Sequence, residues 1–382
     1  MKFTAFGAAD SVGASCYFLQ TDGINLLLDC GKGMLGHRTF GPDLTGLFSS
    51  GLTSVAQLDA ILISHGHYDH IGYLPEFARL CPDTPVYATP VTKKLARYLM
   101  QDRYCAADND SLEQKISAEV GRFQALERIQ PQNYLQPIKI GPVSVTFFEA
   151  GHVPGAAMVY VESQEGSFLY TGDFRRAASR LTNGYLLPQW VQPDVLLLCG
   201  LHAKHPNYRA SVGLDGIAAQ LNTAVRRRRP CLITTRELTK GIEIVSFLVE
   251  AMKEGKIPQA PVFLDDHIWQ LNVRMQEAGL SVLGEQCRRF PQLVYHTDPY
   301  PGIYVGGKRY AAFFRTVLDA KFSLHADYAE CSGLVEALHP ATVILVHSPS
   351  DAWGVSGNAA LERDHPASAF LYPQIGQAYD LL

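Results

Sequence analysis

Residues 64–72 read SHGHYDHIG, so His65, His67, Asp69 and His70 stand within six positions of one another. They follow LDAILI, a short apolar run that reads as a buried strand. A rigid sheet holds polar residues in place where its strands end, and sites of α/β proteins collect there. Neutral imidazoles and carboxylates are natural ligands of zinc and similar ions. His65 and His67 lie two apart, and on an extended turn their rings can face one side and share an ion. Asp69 and His70 follow at once, point elsewhere and can serve a second ion. The plainer reading is a His-rich surface loop. The position directly behind a buried strand argues against it.

The same pattern recurs along the chain. SCYFLQTDGINLLLDCG gives two apolar runs around Asp22-Gly23, a hairpin signal. VSVTFFEAGH is a strand ending in His152, SFLYTGDF one ending in Asp173, and TVILVHS one ending in His347. DVLLLCG, CLITT and PVFLDD are further buried strands. GIEIVSFLVEAMKEG carries apolar residues at 242, 245, 248, 249 and 252, a helix closed by glycine. Four distant strands that each deliver a ligand-type residue form a constellation, where one alone would mean little.

Composition sets the frame. The 382 residues suggest two domains or one large one, and 47% hydrophobic against 18% charged residues implies a substantial core. A net charge of −4 excludes a global basic field, so nucleic acid would have to be held by local patches. The eight cysteines are scattered with no CxxC pair and read as reduced thiols of a cytosolic protein. The opening MKFTAFGAAD lacks the apolar run of a signal peptide, and no window reaches membrane-spanning length. The expectation is a cytoplasmic protein with no membrane partner.

HGHYDHIG resembles the signature of the metallo-β-lactamase fold hydrolases. Asp29 in LLLDCG resembles the family's first motif, His152 in EAGHVPGAAMV the third and Asp173 in YTGDFR the fourth. FSLHAD with His325 and VHS with His347 resemble motifs B and C of the β-CASP branch, which includes nucleases of RNA and of DNA. The implied fold class is α/β, a metallo-β-lactamase αββα sandwich with an inserted small α/β β-CASP domain. Residues 1–205 would form the first part of the sandwich, 206–320 the insert and 321–382 the C-terminal part.

The resemblance implies that His65, His67 and His152 hold one zinc, that Asp69, His70 and His347 hold the other, and that Asp173 bridges both. Manganese is the alternative metal. Asp29 would support the histidine loop. Asp69 and Asp173 would serve catalysis at the ions, and His325 would be the general acid. The expected function is a two-metal phosphodiester hydrolase, a nuclease cleaving RNA or single-stranded DNA by metal-bound hydroxide. The alternatives are a metallo-hydrolase of a small phosphodiester or nucleotide, and a partner-dependent or silenced subunit of a larger complex. Nucleic acid is the expected partner, with protein partners or a homodimer beside it.

Two departures stand out. Motif A of the branch puts a carboxylate at the end of the strand DVLLLCG, where this chain has Cys199. His325 would then be held otherwise, by Asp327, His202 or His205. In the insert, Lys240 takes the place of the branch's arginine and Glu243 that of its glutamate. Arg175, two residues from Asp173, and Lys240 are the candidate substrate contacts. The run Arg226–Arg229 reads more simply as a solvated helix end.

Overall fold

The structure, a computed structural model, describes residues 1–36, 38–100, 111–205, 214–235, 237–280, 287–290, 299–320, 322–348 and 358–382. The chain divides into two compact units. One comprises Met1–Ala178, Gly184–Tyr208 and His325–Leu382, and the other Ser179–Asn183 and Arg209–Leu324.

The first unit is built on two seven-stranded sheets. In spatial order the first runs Ala378–Asp380, Lys2–Gly7, Cys16–Thr21, Ile24–Leu28, Ala60–Leu62, Val86–Ala88, Ile129–Pro131. The second runs Ala369–Leu371, Thr342–Val346, Val195–Cys199, Gly166–Tyr170, Ala157–Ser163, Val143–Glu149, Ile138–Ile140. Strand alternation explains why they stack. Phe3, Tyr17, Leu19, Leu26, Leu28 and Leu62 from one sheet join Val145, Phe147, Val159, Phe168, Tyr170 and Leu197 from the other in one core cluster. The intervening residues Phe18, Leu27, Ile61 and Ile63 face the other way and pack with Phe77, Ala96, Ala125 and Leu126 of three helices, Leu74–Leu80, Pro90–Leu99 and Leu112–Glu127. The strand Val195–Cys199 is fully buried because it pairs in parallel on both sides. This is the αββα sandwich that the resemblance implies.

Local chemistry fixes several joints. Asp22 and Gly23 both adopt positive φ, +49° and +75°, as a two-residue hairpin turn of this hand requires. Gly31 comes so close to the histidine loop that a Cβ there would run into the Asp69 carbonyl. The segment KFSL, strand-like in sequence, forms no strand at its described residues 322–324. Helix Tyr328–Leu338 begins directly after it, capped by Asp327.

The second unit carries a five-stranded parallel sheet in the order Cys287–Arg289, Val262–Leu264, Ile303–Gly306, Cys231–Thr234, Thr316–Asp319. Its helices include Leu214–Arg226, which the arginine run terminates, and Leu238–Lys253. Among the described residues no helix is long and apolar enough to cross a membrane. Seven cysteines, all buried, are free thiols, and Cys105 lies outside the described residues.

Candidate metal centre

The site belongs wholly to the first unit. Four strand ends build it. Ala60–Leu62 leads into the histidine loop, Val143–Glu149 into His152, Gly166–Tyr170 into Asp173 and Thr342–Val346 into His347. The loop is pinned by backbone hydrogen bonds from every side. Ser15 N–H donates to the Asp69 carbonyl at 2.9 Å, Cys30 N–H to that of His70 at 2.8 Å and Lys32 N–H to that of Tyr68 at 3.1 Å.

Two groups of ligand-type side chains result, each with ligand atoms within 4.8 Å of one another. One is His65, His67, His152 and Asp173, and the other Asp69, His70 and His347. His67 Nδ1 lies 3.1 Å from His65 Nε2 and 3.2 Å from His152 Nε2. A tetrahedral ion with bonds of about 2.0–2.1 Å to nitrogen would set its ligand nitrogens roughly 3.3 Å apart. The donor set therefore fits such an ion.

Asp173 stands between the groups, 2% exposed. Its Oδ2 is 3.3 Å from His70 Nε2, 3.4 Å from His325 Nδ1 and 3.8 Å from both His65 Nε2 and His152 Nε2. Its Oδ1 is 3.9 Å from His347 Nε2 and has no hydrogen-bond partner. Buried polar atoms are almost always paired, so an orphaned carboxylate oxygen among imidazoles suits a bound cation. Burial raises the Asp173 carboxyl, but His347, His70 and His325 outweigh it, and the group is held well below the usual carboxylate range. Burial, followed by His70, His67 and His152, holds His65 well below the usual imidazole range, in the neutral form that a metal requires. Burial also lowers His70, yet Asp173 and Asp29 overcome it and raise that ring.

Asp29 lies at the end of Ile24–Leu28 with φ +59° and is fully buried. Its carboxylate accepts from the Ser64 amide at 2.7 Å, the Ser64 hydroxyl at 2.6 Å and the Tyr170 hydroxyl at 2.6 Å, and lies 2.7 Å from His70 Nδ1. With His70 Nδ1–H pointed at Asp29, Nε2 presents its lone pair to the centre. His347 is oriented in the same way: its Nδ1 lies 3.2 Å from the Ser15 hydroxyl, and its amide donates to the Ala8 carbonyl at 2.7 Å. Sequence reading missed Ser15 and Tyr170. Their partners lie 332 and 141 residues away, and no local signal announces them. Outer partners of this kind are worth about 10–100-fold in metal affinity. Asp29→Asn should therefore weaken metal binding at the His70 group by about that factor, as read by competition with a metal-sensing dye. Unchanged affinity would remove Asp29 from this role.

The departures resolve differently from one another. His325 is brought to the rim of the site, its ring 4.5 Å from that of His152 and its side chain 18% exposed. The carboxylate facing it is Asp173. Asp327 is occupied as a helix cap, accepting the Glu330 amide at 3.1 Å, and the His202 ring lies 6.3 Å away, edge-on. The His205 amide donates to the His202 carbonyl. Cys199 is buried with Sγ 3.9 Å from the Tyr170 hydroxyl, and burial, then Asp173, pushes its thiol up. Arg175 is only 7% exposed, and its backbone is tied to Ala150 and Tyr185. Lys240 belongs to the second unit, where its ammonium lies 4.0 Å from Glu237 and over the Phe322 ring. There too, Glu243 accepts the Arg180 and Leu181 amides.

Comparison with known proteins gives a consistent picture. The family model of the metallo-beta-lactamase superfamily matches residues 9–214. Cleavage and polyadenylation specificity factor 73 of Drosophila melanogaster is 24% identical, over 100% of this chain and 65% of that protein. Transcription termination factor FttA of Methanothermobacter thermautotrophicus is 28% identical over 71% of this chain and 43% of its own length. An Integrator complex subunit 11 homolog of Dictyostelium discoideum is 34% identical over 72% of this chain and 35% of its own. The chain thus spans less than two thirds of each of these relatives. A protein of unknown function from Enterococcus faecalis V583, whose crystal structure is known, shares the fold with a TM-score of 0.62 over 99% of both chains at 13% identity.

Proposed function

This chain belongs to the metallo-beta-lactamase superfamily, in its β-CASP branch, and from that premise we propose that it is a two-metal nuclease hydrolysing phosphodiester bonds of single-stranded RNA. One observation carries the reading. Seven ligand-type side chains form two groups, and one of the seven is Asp173, a buried carboxylate with an orphaned oxygen. His65, His67 and His152 would hold one ion, Asp69, His70 and His347 the other, and Asp173 would serve both. Imidazole-rich ligation favours zinc. When bound, such ions activate water and neutralise charge on a phosphoryl group.

The chain's own residues supply the rest. Asp69 accepts a hydrogen bond from the attacking water and fixes its direction. His325, at the rim beside Asp173, hands a proton to the departing oxygen. Asp29 and Ser15 keep His70 and His347 in the tautomers that binding requires. RNA is favoured over DNA by the names of the relatives, one a cleavage factor of polyadenylation and one a subunit of the Integrator complex. The same names favour work beside protein partners. A cytoplasmic location is part of this reading.

The test is direct. Zinc-loaded protein is incubated with end-labelled single-stranded RNA and DNA, beside a double variant carrying Asp69→Ala and His70→Ala. RNA cleavage that the variant loses is the expected result. Cleavage of DNA alone would overturn the choice of substrate. Cleavage of neither, with zinc shown to be bound, would move the assignment to a small phosphodiester.

A further inference from the structure

We propose that Tyr17 is a positioning residue of the metal centre, setting the tautomer of His347 through the Ser15 hydroxyl. The inference rests on the two-metal reading above and concerns the group of Asp69, His70 and His347.

The strand Cys16–Thr21 puts Tyr17 where this role needs it. Side chains alternate along a strand, so Ser15, Tyr17 and Leu19 share one face. Tyr17 and Leu19 lie in the core between the sheets, whereas Cys16 and Phe18 pack in the other cluster. Ser15 is held through its backbone on both sides. Its N–H donates to the Asp69 carbonyl at 2.9 Å, and its carbonyl accepts the Gly31 N–H at 2.8 Å. Its hydroxyl stands 3.2 Å from His347 Nδ1. Ser15, Tyr17 and His347 are all fully buried, so their polar atoms satisfy one another rather than bulk water.

The direction of these hydrogen bonds decides the chemistry. A carboxylate only accepts, so Asp29 settles by itself that His70 Nδ1 carries hydrogen. A hydroxyl accepts or donates, so Ser15 alone leaves His347 open. Tyr17 removes the ambiguity. Its hydroxyl donates to the Ala8 carbonyl at 3.4 Å, and a carbonyl only accepts. Burial, then Cys199, pushes the phenol well above its ordinary range against the pull of the Ser15 hydroxyl that hydrogen-bonds it, so the group keeps its proton. With its own hydrogen spent on Ala8, the Tyr17 oxygen accepts that of Ser15. The Ser15 oxygen then accepts Nδ1–H of His347, and Nε2 turns its lone pair to the centre. The chain closes on itself, because the Ala8 carbonyl also accepts the His347 amide at 2.7 Å. Ala8 and His347 both hold positive φ, +49° and +52°, a backbone that residues other than glycine keep only where their surroundings impose it. Without the phenol oxygen, the Ser15 hydrogen can turn to Nδ1 and leave hydrogen on Nε2, facing the ion.

Tyr17→Phe tests this. It keeps the ring, whose centroid lies 6.2 Å from that of Phe3 and 5.5 Å from that of Tyr170, and deletes only the hydroxyl. Zinc affinities are read by competition with a metal-sensing dye for the parent, Tyr17→Phe, Ser15→Ala and the double variant. Tyr17→Phe should weaken one of the two zinc ions about three- to tenfold, the worth of a neutral hydrogen bond. The other ion and the melting temperature of the metal-free protein should stay as in the parent. Ser15→Ala should cost at least as much, and adding Tyr17→Phe to it should cost nothing further, because the two hydroxyls act in series. The cobalt-loaded protein gives a second readout. Its ligating imidazoles carry exchangeable N–H protons with shifted resonances, and one of these should move in both single variants. Parental affinities in Tyr17→Phe, losses that simply add in the double variant, or a lowered melting temperature with every N–H resonance in place would each overturn the inference and leave the metal centre standing. A parent protein that binds fewer than two zinc ions would overturn the two-metal reading and this inference with it.

Discussion

Asp173→Asn should strip the protein of both metal occupancy and cleavage while leaving it folded. The side chain keeps its shape, so the sandwich around it has no cavity to close. What it loses is charge. Asp173 is the carboxylate that five imidazoles approach within 3.3–3.9 Å. Those imidazoles hold its carboxyl well below the ordinary range, so at neutral pH it is an anion. An amide in its place offers one neutral oxygen and one N–H₂, and the latter repels a cation. Replacing an outer partner of a metal ligand already costs about 10–100-fold in affinity, and the loss here should exceed about 100-fold at both groups. Metal analysis after gel filtration should fall from two ions per chain to fewer than one, and RNA cleavage to background. If Asp173→Asn retained two ions with parental affinity, the bridging role would be wrong, even if activity disappeared.

The same residue shows what sequence reading reaches and where it stops. His65, His67, Asp69 and His70 are legible because they are neighbours in the chain, and the strand before them fixes where they point. His152, Asp173 and His347 are legible because each ends an apolar strand, a local signal of a sheet edge. The missing motif A carboxylate is not legible in the same way. Cys199 marks the loss, but nothing nearby in sequence says that Asp173, 26 positions earlier, faces His325 instead. Asp327 looks equally suited from its position two residues on, yet helix capping claims it. The hydroxyls of Ser15 and Tyr170 are hidden for a related reason. Their partners come from other strands of the packed sandwich, and one sequence does not reveal such pairings.

His325→Ala should separate proton transfer from metal binding. His325 stands outside both metal-holding groups, so ion content should remain that of the parent. Its ring is still only 3.4 Å, at Nδ1, from Asp173 and partly open to solvent. That position suits a group which meets the departing oxygen after the bond breaks. A positioned general acid contributes about 10²–10⁴-fold, and kcat should fall by that factor with KM little changed. The pH dependence gives the sharper readout. Burial, opposed by Asp173 but joined by His152, His347 and His202, holds the His325 imidazole well below its ordinary range. A general acid works from its protonated form, so the parent rate should decline as pH rises through this lowered pKa, on the acid side of the ordinary imidazole range. The variant, having no such proton to lose, should show no decline there. Loss of metal from His325→Ala would make it a ligand instead. A full rate decrease with that decline still present would make its role positional, with the proton coming from solvent or from His202.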